Sequence, residues 1–336
     1  MFGHPKVPNE STGTEAIDAL IGGGVSIANA MILLDEKGTD GYFCRPIQRC
    51  FVAEGLDKGQ KLFLASPMIG KMRKLLGKVP SKSTKGGQPT DGDEGTAESD
   101  ERLKIAWRYQ TKPTHESTIG GGPLKKGEQN GDKGATKFDL SRVDDHLDID
   151  RLIALGRVIV FECDQQQPSL VNLWSKIHRQ FAEFNGTFLR LLITDLSSPL
   201  WADVHLLELF CAHLKAFCRR CNCSALLSFD SSLMPTEKRQ NILPFVDAAF
   251  QMERMDERQQ KMLCLRRRID GGRFCIVKLP AFRSAAPSVL PISSDFLFSL
   301  TKRSFEIKLL HLPPALGEEK ETKHQTNCCK AITDQF

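Results

Sequence analysis

The stretch "DEKGTDGYF", residues 35–43, lies where a nucleotide-binding loop would be expected. The apolar segment "AMILL" precedes it, and the helix-like segment "CRPIQRCFVAEG" follows it. A strand that enters a glycine-containing loop before a helix is the setting of the Walker A phosphate loop, GxxxxGK[ST]. Gly38, Thr39, Asp40 and Gly41 are therefore the first candidates for a nucleotide site.

The same loop lacks the two side chains that a nucleoside triphosphate needs. When Gly41 is aligned with the second glycine of the motif, Tyr42 takes the lysine position and Phe43 the hydroxyl position. The cation that contacts the phosphates and the Mg²⁺ ligand are then both missing. Asp35, Glu36 and Asp40 add negative charge where phosphates would lie. We therefore interpret the stretch as a degenerate phosphate loop that binds nucleotide weakly or not at all.

Asp195 follows the apolar segment "LRLLIT" and is the next candidate. A carboxylate at the carboxyl end of a buried strand is where a Walker B aspartate holds Mg²⁺. The sequence "DLSSP" is equally typical of a turn. Both interpretations stay open, and the missing Walker A side chains favour the turn.

Cysteines form the remaining cluster with a chemical interpretation. Cys218, Cys221 and Cys223 lie in "CRRCNC", with Cys211 and His213 upstream. A structural zinc site needs four ligands, and the second CxxC that usually completes such a set is absent. Cys211 and Cys218 also fit one apolar face of a helix. We favour thiols in a helical core and predict no metal site.

Composition limits the function classes. The chain has 336 residues, of which 40% are apolar and 26% charged, as in globular proteins. The 46 basic and 41 acidic residues give a net charge of +5, which permits contact with nucleic acid without requiring it. No apolar run approaches the ~20 residues of a membrane helix, and no signal-peptide segment is evident. We expect no membrane contact and reduced cysteines, in the cytoplasm or nucleus.

Periodicity predicts the elements around these residues. A strand in "VSIANAMILLDE", a helix in "CRPIQRCFVAEGLDKG" and a strand in "QKLFLASPM" form a βαβ unit, which implies a parallel sheet. Strands and helices continue to alternate from "RVIVFEC" to "SALLSFDSSL", and "FVDAAFQMERMD", "KMLCLRRRID", "RFCIVKLPAF" and "FEIKLLHLP" predict short closing strands. The predicted fold is α/β, with a central, mostly parallel sheet flanked by helices.

Low-complexity segments divide the chain. We predict a flexible N-terminus over 1–10, one domain over 11–316, and a flexible tail over 317–336. Insertions at about 78–101 and 111–136 are rich in Gly, Lys, Ser and Asp, and are too polar to pack.

Several longer stretches resemble the Elongator complex protein 4 family. They are "STGTEAIDALIGGGVSIANAMILLDEKGT", "KIAWRYQ", "KFDLSR", "LRLLITDLSSPLW", "VKLPAF" and "LLHLPP", and together they span residues 11–314. The first stretch is also similar to RecA/KaiC-type ATPases. The resemblance implies a RecA-like fold whose phosphate loop has degenerated.

The resemblance also implies a function. Members of the family assemble with Elongator complex proteins 5 and 6 into a hetero-hexameric ring. The ring joins the Elongator catalytic subcomplex, binds tRNA and supports modification of the wobble uridine (U34). ATP is possible at ring interfaces, but no cofactor is required of this chain, which is expected to be an accessory subunit and not an enzyme. Two alternatives stay open: an active RecA-like ATPase subunit that regulates tRNA release, with Asp195 as Mg²⁺ ligand, and a zinc-binding adaptor.

A ring subunit needs contact residues, and six candidates stand out. Trp201, on a predicted turn, is either an interface anchor, since Trp is enriched in binding hot spots, or a cover for the domain core. Basic residues at predicted loops or strand ends are either contacts for tRNA phosphates or an ordinary solvated surface. They are Arg266, Arg267, Arg268, Lys302 and Arg303.

Overall fold

A computed structural model describes residues 10–21, 29–39, 41–83, 137–161, 167–182, 188–262, 270–280 and 296–310. Within these ranges the chain forms a nine-stranded sheet with the order β5–β2–β6–β7–β1–β8–β9–β10–β11, and a separate antiparallel pair, β3–β4. The strands are β1 (Met31–Lys37), β2 (Lys61–Ala65), β3 (Pro80–Lys82), β4 (Phe138–Val143), β5 (Val158–Phe161), β6 (Leu189–Ile193), β7 (Cys223–Phe229), β8 (Ala248–Arg254), β9 (Gly271–Lys278), β10 (Phe296–Leu300) and β11 (Phe305–Leu309).

Strand direction confirms the predicted fold class. Six neighbouring strands, in the order β5, β2, β6, β7, β1 and β8, run parallel to one another. Strands β9, β10 and β11 extend the sheet beyond β8, and each is antiparallel to its neighbour. Three of the predicted closing strands correspond to β8, β9 and β11. The fourth predicted strand, which starts at Lys261, begins inside helix α8 (Glu257–Met262), and residues 263–269 lie outside the described ranges. Strand β10 was not predicted from the sequence.

Helices cover both faces of the sheet. They are α1 (Glu15–Ile21), α2 (Cys44–Asp57), α3 (Lys71–Leu76), α4 (Ile149–Ala154), α5 (Leu170–Ala182), α6 (Leu207–Arg220), α7 (Thr236–Ile242) and α8 (Glu257–Met262). Helices α1, α2 and α3 pack in one apolar cluster with Ile32 and Leu34. Helices α5, α6 and α7 pack in a second cluster with Met31 and Leu33. Neighbouring residues of β1 thus face opposite cores, as expected of a strand covered on both sides.

The first predicted insertion begins later than its composition suggested. Helix α3 buries Met72, Leu75 and Leu76, and Val79 and Pro80 are buried beside it. Strand β3 then pairs with β4. Three apolar residues at helical spacing, surrounded by Lys and Gly, are enough to pack against α2. The rest of both insertions, at 84–136, lies outside the described residues, as do 1–9 and 311–336.

Candidate functional site

The carboxyl ends of β1, β2, β6 and β7 meet at one edge of the sheet, and a cavity of about 600 Å³ lies there. Residues from α2 and α3 form its walls, and the segments that follow the four strands form its floor. Open α/β sheets bind ligands at this edge, where successive connections leave for opposite faces. Both predicted candidates, the loop after β1 and Asp195 after β6, lie here.

The carboxylate of Glu36 occupies the start of α2. Its Oε2 accepts a hydrogen bond from the backbone N–H of Cys44 at 2.7 Å, and its Oε1 accepts one from Phe43 at 3.0 Å. The hydroxyl of Thr39 also donates to Oε1. Free N–H groups at a helix N-terminus are the donors that hold phosphate in nucleotide loops. In this chain an internal carboxylate takes two of them.

From the sequence, Glu36 was expected only to repel phosphates. Its side chain is 2% exposed, and the two backbone N–H donors satisfy the hydrogen-bonding needs of the buried carboxylate. An acidic residue shortly before a predicted helix start was the available signal. The sequence pattern did not indicate that the Glu36 side chain folds back onto the first N–H groups of α2.

The two substituted Walker positions have acquired other contacts. Phe43 is fully buried, and its ring lies edge-on to Phe298, with the ring centroids 4.7 Å apart. The hydroxyl of Tyr42 donates to Asp270 at 2.9 Å. Replacement of Phe43 by Thr would therefore damage the core, so restoring the motif at these two positions is not a clean test of lost nucleotide binding.

The loop glycines keep a turn geometry. Gly38 and Gly41 have φ of +69° and +72°, in the left-handed region that favours glycine. The N–H of Gly38 donates to Asp230 Oδ1 at 3.1 Å. Thr39 contacts Glu36 as described, and Asp40 lies outside the described residues. These contacts fix the loop without a ligand.

Asp35 is held away from the cavity. Its Oδ2 lies 2.9 Å from the guanidinium of Arg239, and its Oδ1 accepts a hydrogen bond from Ser231 N at 3.0 Å. Burial raises the pKa of the Asp35 carboxyl, and Arg239 opposes that shift. The two acidic residues at the end of β1 therefore have separate structural partners.

Asp195 faces the cavity and forms an ion pair with Lys71 of α3. The Lys71 Nζ lies 2.7 Å from Oδ1 and 2.6 Å from Oδ2. The hydroxyls of Ser66 and Thr194 donate to Oδ2 at 3.1 and 2.8 Å. A Mg²⁺ role would require this carboxylate to leave its lysine. The predicted turn is present, since Ser198 N donates to the Asp195 carbonyl at 3.0 Å.

Trp201 lies inside the domain. Its side chain is 1% exposed, and its Nε1 donates to the Asp195 carbonyl at 3.0 Å. It packs beside Phe161, with ring centroids 6.3 Å apart. Of the two interpretations, this position fits the cover of the core, because the ring offers almost no surface to a partner.

The two described tRNA candidates, Lys302 and Arg303, do not line the cavity. Lys302 and Arg303 are exposed in the turn between β10 and β11. The Arg303 carbonyl accepts a hydrogen bond from Leu140 N at 2.9 Å, which ties this turn to β4. Arg266, Arg267 and Arg268 lie outside the described residues. Contact of these five residues with tRNA stays a prediction.

The cysteine cluster is divided between a helix and a strand. Cys211 and Cys218 are buried on α6, and Cys223 is buried in β7. Burial raises the pKa of Cys211 to about 12, so this thiol is protonated in the metal-free protein. A hydrogen bond with Cys218, together with burial, also raises the pKa of Cys223. In the described ranges, no three His, Cys, Asp or Glu side chains are grouped to hold a metal ion.

The basic walls of the cavity were not predicted from the sequence. Arg45 and Arg49 project from α2, Lys71 and Lys74 from α3, and Lys78 follows α3. Burial lowers the pKa of the Arg49 guanidinium, and the neighbouring Arg45 lowers it further. The i,i+4 spacing of Arg45 and Arg49 on a predicted helix was the available signal.

None of the helices in the described part of the chain has the length and apolar character required to cross a membrane.

Fold and loop together define an α/β domain with the strand–loop–helix unit of phosphate-loop proteins, in which Glu36 accepts hydrogen bonds from the N–H groups at the start of α2. The PAXNEB protein family model matches residues 7–335, so the chain belongs to the PAXNEB family.

Curated relatives carry one name. Elongator complex protein 4 of Danio rerio is 25% identical over 346 residues, covering 92% of this chain and 82% of the relative. The Homo sapiens protein of that name is 24% identical over 344 residues, covering 92% and 77%. Among solved structures, a KaiC-like protein from Pyrococcus horikoshii is similar with a TM-score of 0.48 and 11% identity, covering 90% of this chain and 99% of that one.

Proposed function

We propose that this chain is an accessory, non-catalytic subunit of the Elongator complex, which supports modification of the wobble uridine (U34) of tRNA. The observation that carries the proposal is the family match over residues 7–335, with relatives named Elongator complex protein 4. As in the expectation from sequence, the partners are Elongator complex proteins 5 and 6, in a hetero-hexameric ring that binds tRNA and joins the catalytic subcomplex. The expected location is the cytoplasm and nucleus.

The geometry of the loop supports a non-catalytic role. Glu36 fills the phosphate donors of α2, and Phe43 has left the hydroxyl position for the core. A nucleotide would have to displace a buried carboxylate and would find no Walker lysine. We therefore propose no cofactor for this chain, and ATP only where a neighbouring subunit supplies the binding groups.

Co-expression with the two expected partners tests the assembly. We expect native mass measurement to show one hexameric species that contains two copies of each protein and that binds tRNA. A soluble monomer that binds neither partner would refute the proposed ring.

The alternative of an active ATPase subunit has one supporting observation, the position of Asp195 at the carboxyl end of β6. Titration calorimetry of the assembled ring with Mg-ATP, for the wild-type chain and for Asp195→Asn, separates the two functions. We expect the same binding by both rings, because both oxygens of Asp195 contact Lys71. Mg²⁺-dependent binding that the wild-type ring shows and the Asp195→Asn ring loses would favour the ATPase.

A further inference from the structure

The cavity at the carboxyl edge carries more positive charge than its own carboxylates balance. Its ionisable lining comprises five cations and three carboxylates, which leaves two positive charges. The cations are Arg45, Arg49, Lys71, Lys74 and Lys78, and the carboxylates are Glu36, Asp195 and Asp230.

Three of the cations lack an acidic partner within the described part of the chain. Lys71 is paired with Asp195, whereas the side chains of Arg49, Lys74 and Lys78 form no salt bridge with any described carboxylate. Arg49 is half-buried beside Arg45, so two guanidinium groups stand close together on one wall. Such a pair is stabilised when an anion binds in the cavity.

Apolar side chains are exposed in the same lining. Ile69 is 85% exposed, Leu233 57% and Met68 45%. These three large apolar side chains lie beside a basic wall. Water solvates the basic part of this surface well and the apolar part poorly. A ligand that matches it must therefore carry both acidic and apolar groups.

We propose that this cavity is the docking site for an acidic peptide segment of a neighbouring subunit, with apolar side chains beside its carboxylates. The inference rests on the proposed ring and adds the surface and the chemistry of one contact. Two carboxylates balance the surplus charge, and the adjacent apolar side chains cover Met68, Ile69 and Leu233.

A phosphate ligand fits the same cavity less well. The helix N–H donors are occupied by Glu36, and Lys71 of the cavity wall is occupied by Asp195. A triphosphate would bring more negative charge than the surplus of two and would leave the exposed apolar side chains uncovered. An RNA backbone would likewise leave the exposed apolar side chains uncovered.

Charge reversal tests the basic wall in the assembled complex. We expect Arg49→Glu with Lys74→Glu to weaken binding to the co-purified partner pair at least tenfold, and to remove most of its salt dependence. Arg179→Glu with Arg220→Glu makes the same change in charge at exposed positions of α5 and α6, across the sheet, and should leave that affinity unchanged. Thermal unfolding of each variant checks that the fold is retained.

A photo-crosslinking residue in place of Ile69 identifies the occupant directly. In the purified ring with tRNA present, we expect crosslinks to a partner segment in which Asp or Glu stands beside apolar residues. The same crosslinker in place of Val171, which is exposed on α5, should not reach that segment. Crosslinks from position 69 to tRNA, to residues 84–136 of the same chain, or to nothing would each overturn the proposal.

The tests separate this inference from the proposed function. If the wild-type chain forms no ring, the proposed function fails and the docking site fails with it. If the wild-type ring forms and the double variant at Arg49 and Lys74 binds the partners with unchanged affinity, only the docking site is refuted.

Discussion

The two sides of helix α2 handle charge in opposite ways. On the side that faces the sheet, Arg190 of β6 is fully buried, and its guanidinium lies over the ring of Phe51 at 4.8 Å. On the cavity side, Arg45 and Arg49 project towards solvent-accessible space. The first group is a closed network, whereas on the cavity side Arg49 has no acidic partner among the described residues.

Every part of the buried guanidinium has a partner. Its Nη1 donates to the Ser11 carbonyl at 2.8 Å, its Nη2 lies 3.2 Å from Glu10, and its Nε donates to Gln60. Gln60 in turn donates to Glu10 at 2.7 Å. The network thereby joins the N-terminal segment to the middle of the sheet.

The difference separates structural from binding charge. A buried ion costs several kcal/mol to desolvate, so it persists only with a complete set of partners. A cation on a cavity wall keeps part of its hydration and tolerates the absence of a partner. Unpaired charge at the cavity is therefore compatible with a stable fold and available to a ligand.

The largest effect should follow from opening the closed network. Arg190→Met leaves the buried carboxylate of Glu10 with only Lys58 and Gln60 of these partners, and we expect a loss of about 3 kcal/mol of unfolding free energy. Urea unfolding of both proteins measures it. Arg179→Met on exposed α5 is the control and should change stability by less than about 0.5 kcal/mol. A loss below about 1 kcal/mol at Arg190 would contradict the structural role of the network.

Sequence reasoning succeeded where local periodicity decides the structure. The "AMILL" run, the α2 stripe and the second strand predicted the parallel unit, and Asp195 was correctly expected at a strand end. The sequence did not predict contacts between residues that are far apart along the chain. Arg190 stands inside an apolar strand, which was a signal, but Glu10 and Gln60 could not be identified as its partners. Phe43 likewise finds Phe298 only in the folded sheet.

Glu36 offers an intermediate effect, since it is buried like the network but lies beside the cavity. Glu36→Ala leaves the N–H groups of Phe43 and Cys44 without their acceptor, and we expect a loss of about 1–3 kcal/mol. Inorganic phosphate should recover part of the loss by binding the freed donors, and should stabilise the wild type less than the variant. Thermal unfolding with and without phosphate checks both points. Equal stabilisation of the two proteins would show that the carboxylate does not fill the anion position.

The pair of Lys71 and Asp195 should have a smaller effect, because both side chains are about one-fifth exposed. We expect Lys71→Met to reduce the unfolding free energy by about 1 kcal/mol, at the upper end for partly solvated ion pairs. Asp195→Asn in the same background should add little, and a double-mutant cycle by urea unfolding measures the coupling. A coupling energy near zero would place Lys71 with the unpaired cations of the cavity.

Tyr42 should show the smallest effect, since its ring is 43% exposed and its hydroxyl contacts only Asp270 among the described residues. We expect Tyr42→Ala to leave tRNA binding by the assembled ring unchanged. Any ATPase activity of the ring should change less than tenfold, equivalent to about 1.4 kcal/mol of barrier. The matched variant Tyr42→Phe removes only the hydroxyl contact and separates it from the ring itself. A larger fall in ATPase activity for Tyr42→Ala than for Tyr42→Phe, in a ring of unchanged mass, would mean that the aromatic face stacks on nucleotide. The degenerate loop would then be a working part of a nucleotide site shared with a neighbour, and the ATPase alternative would replace the non-catalytic role.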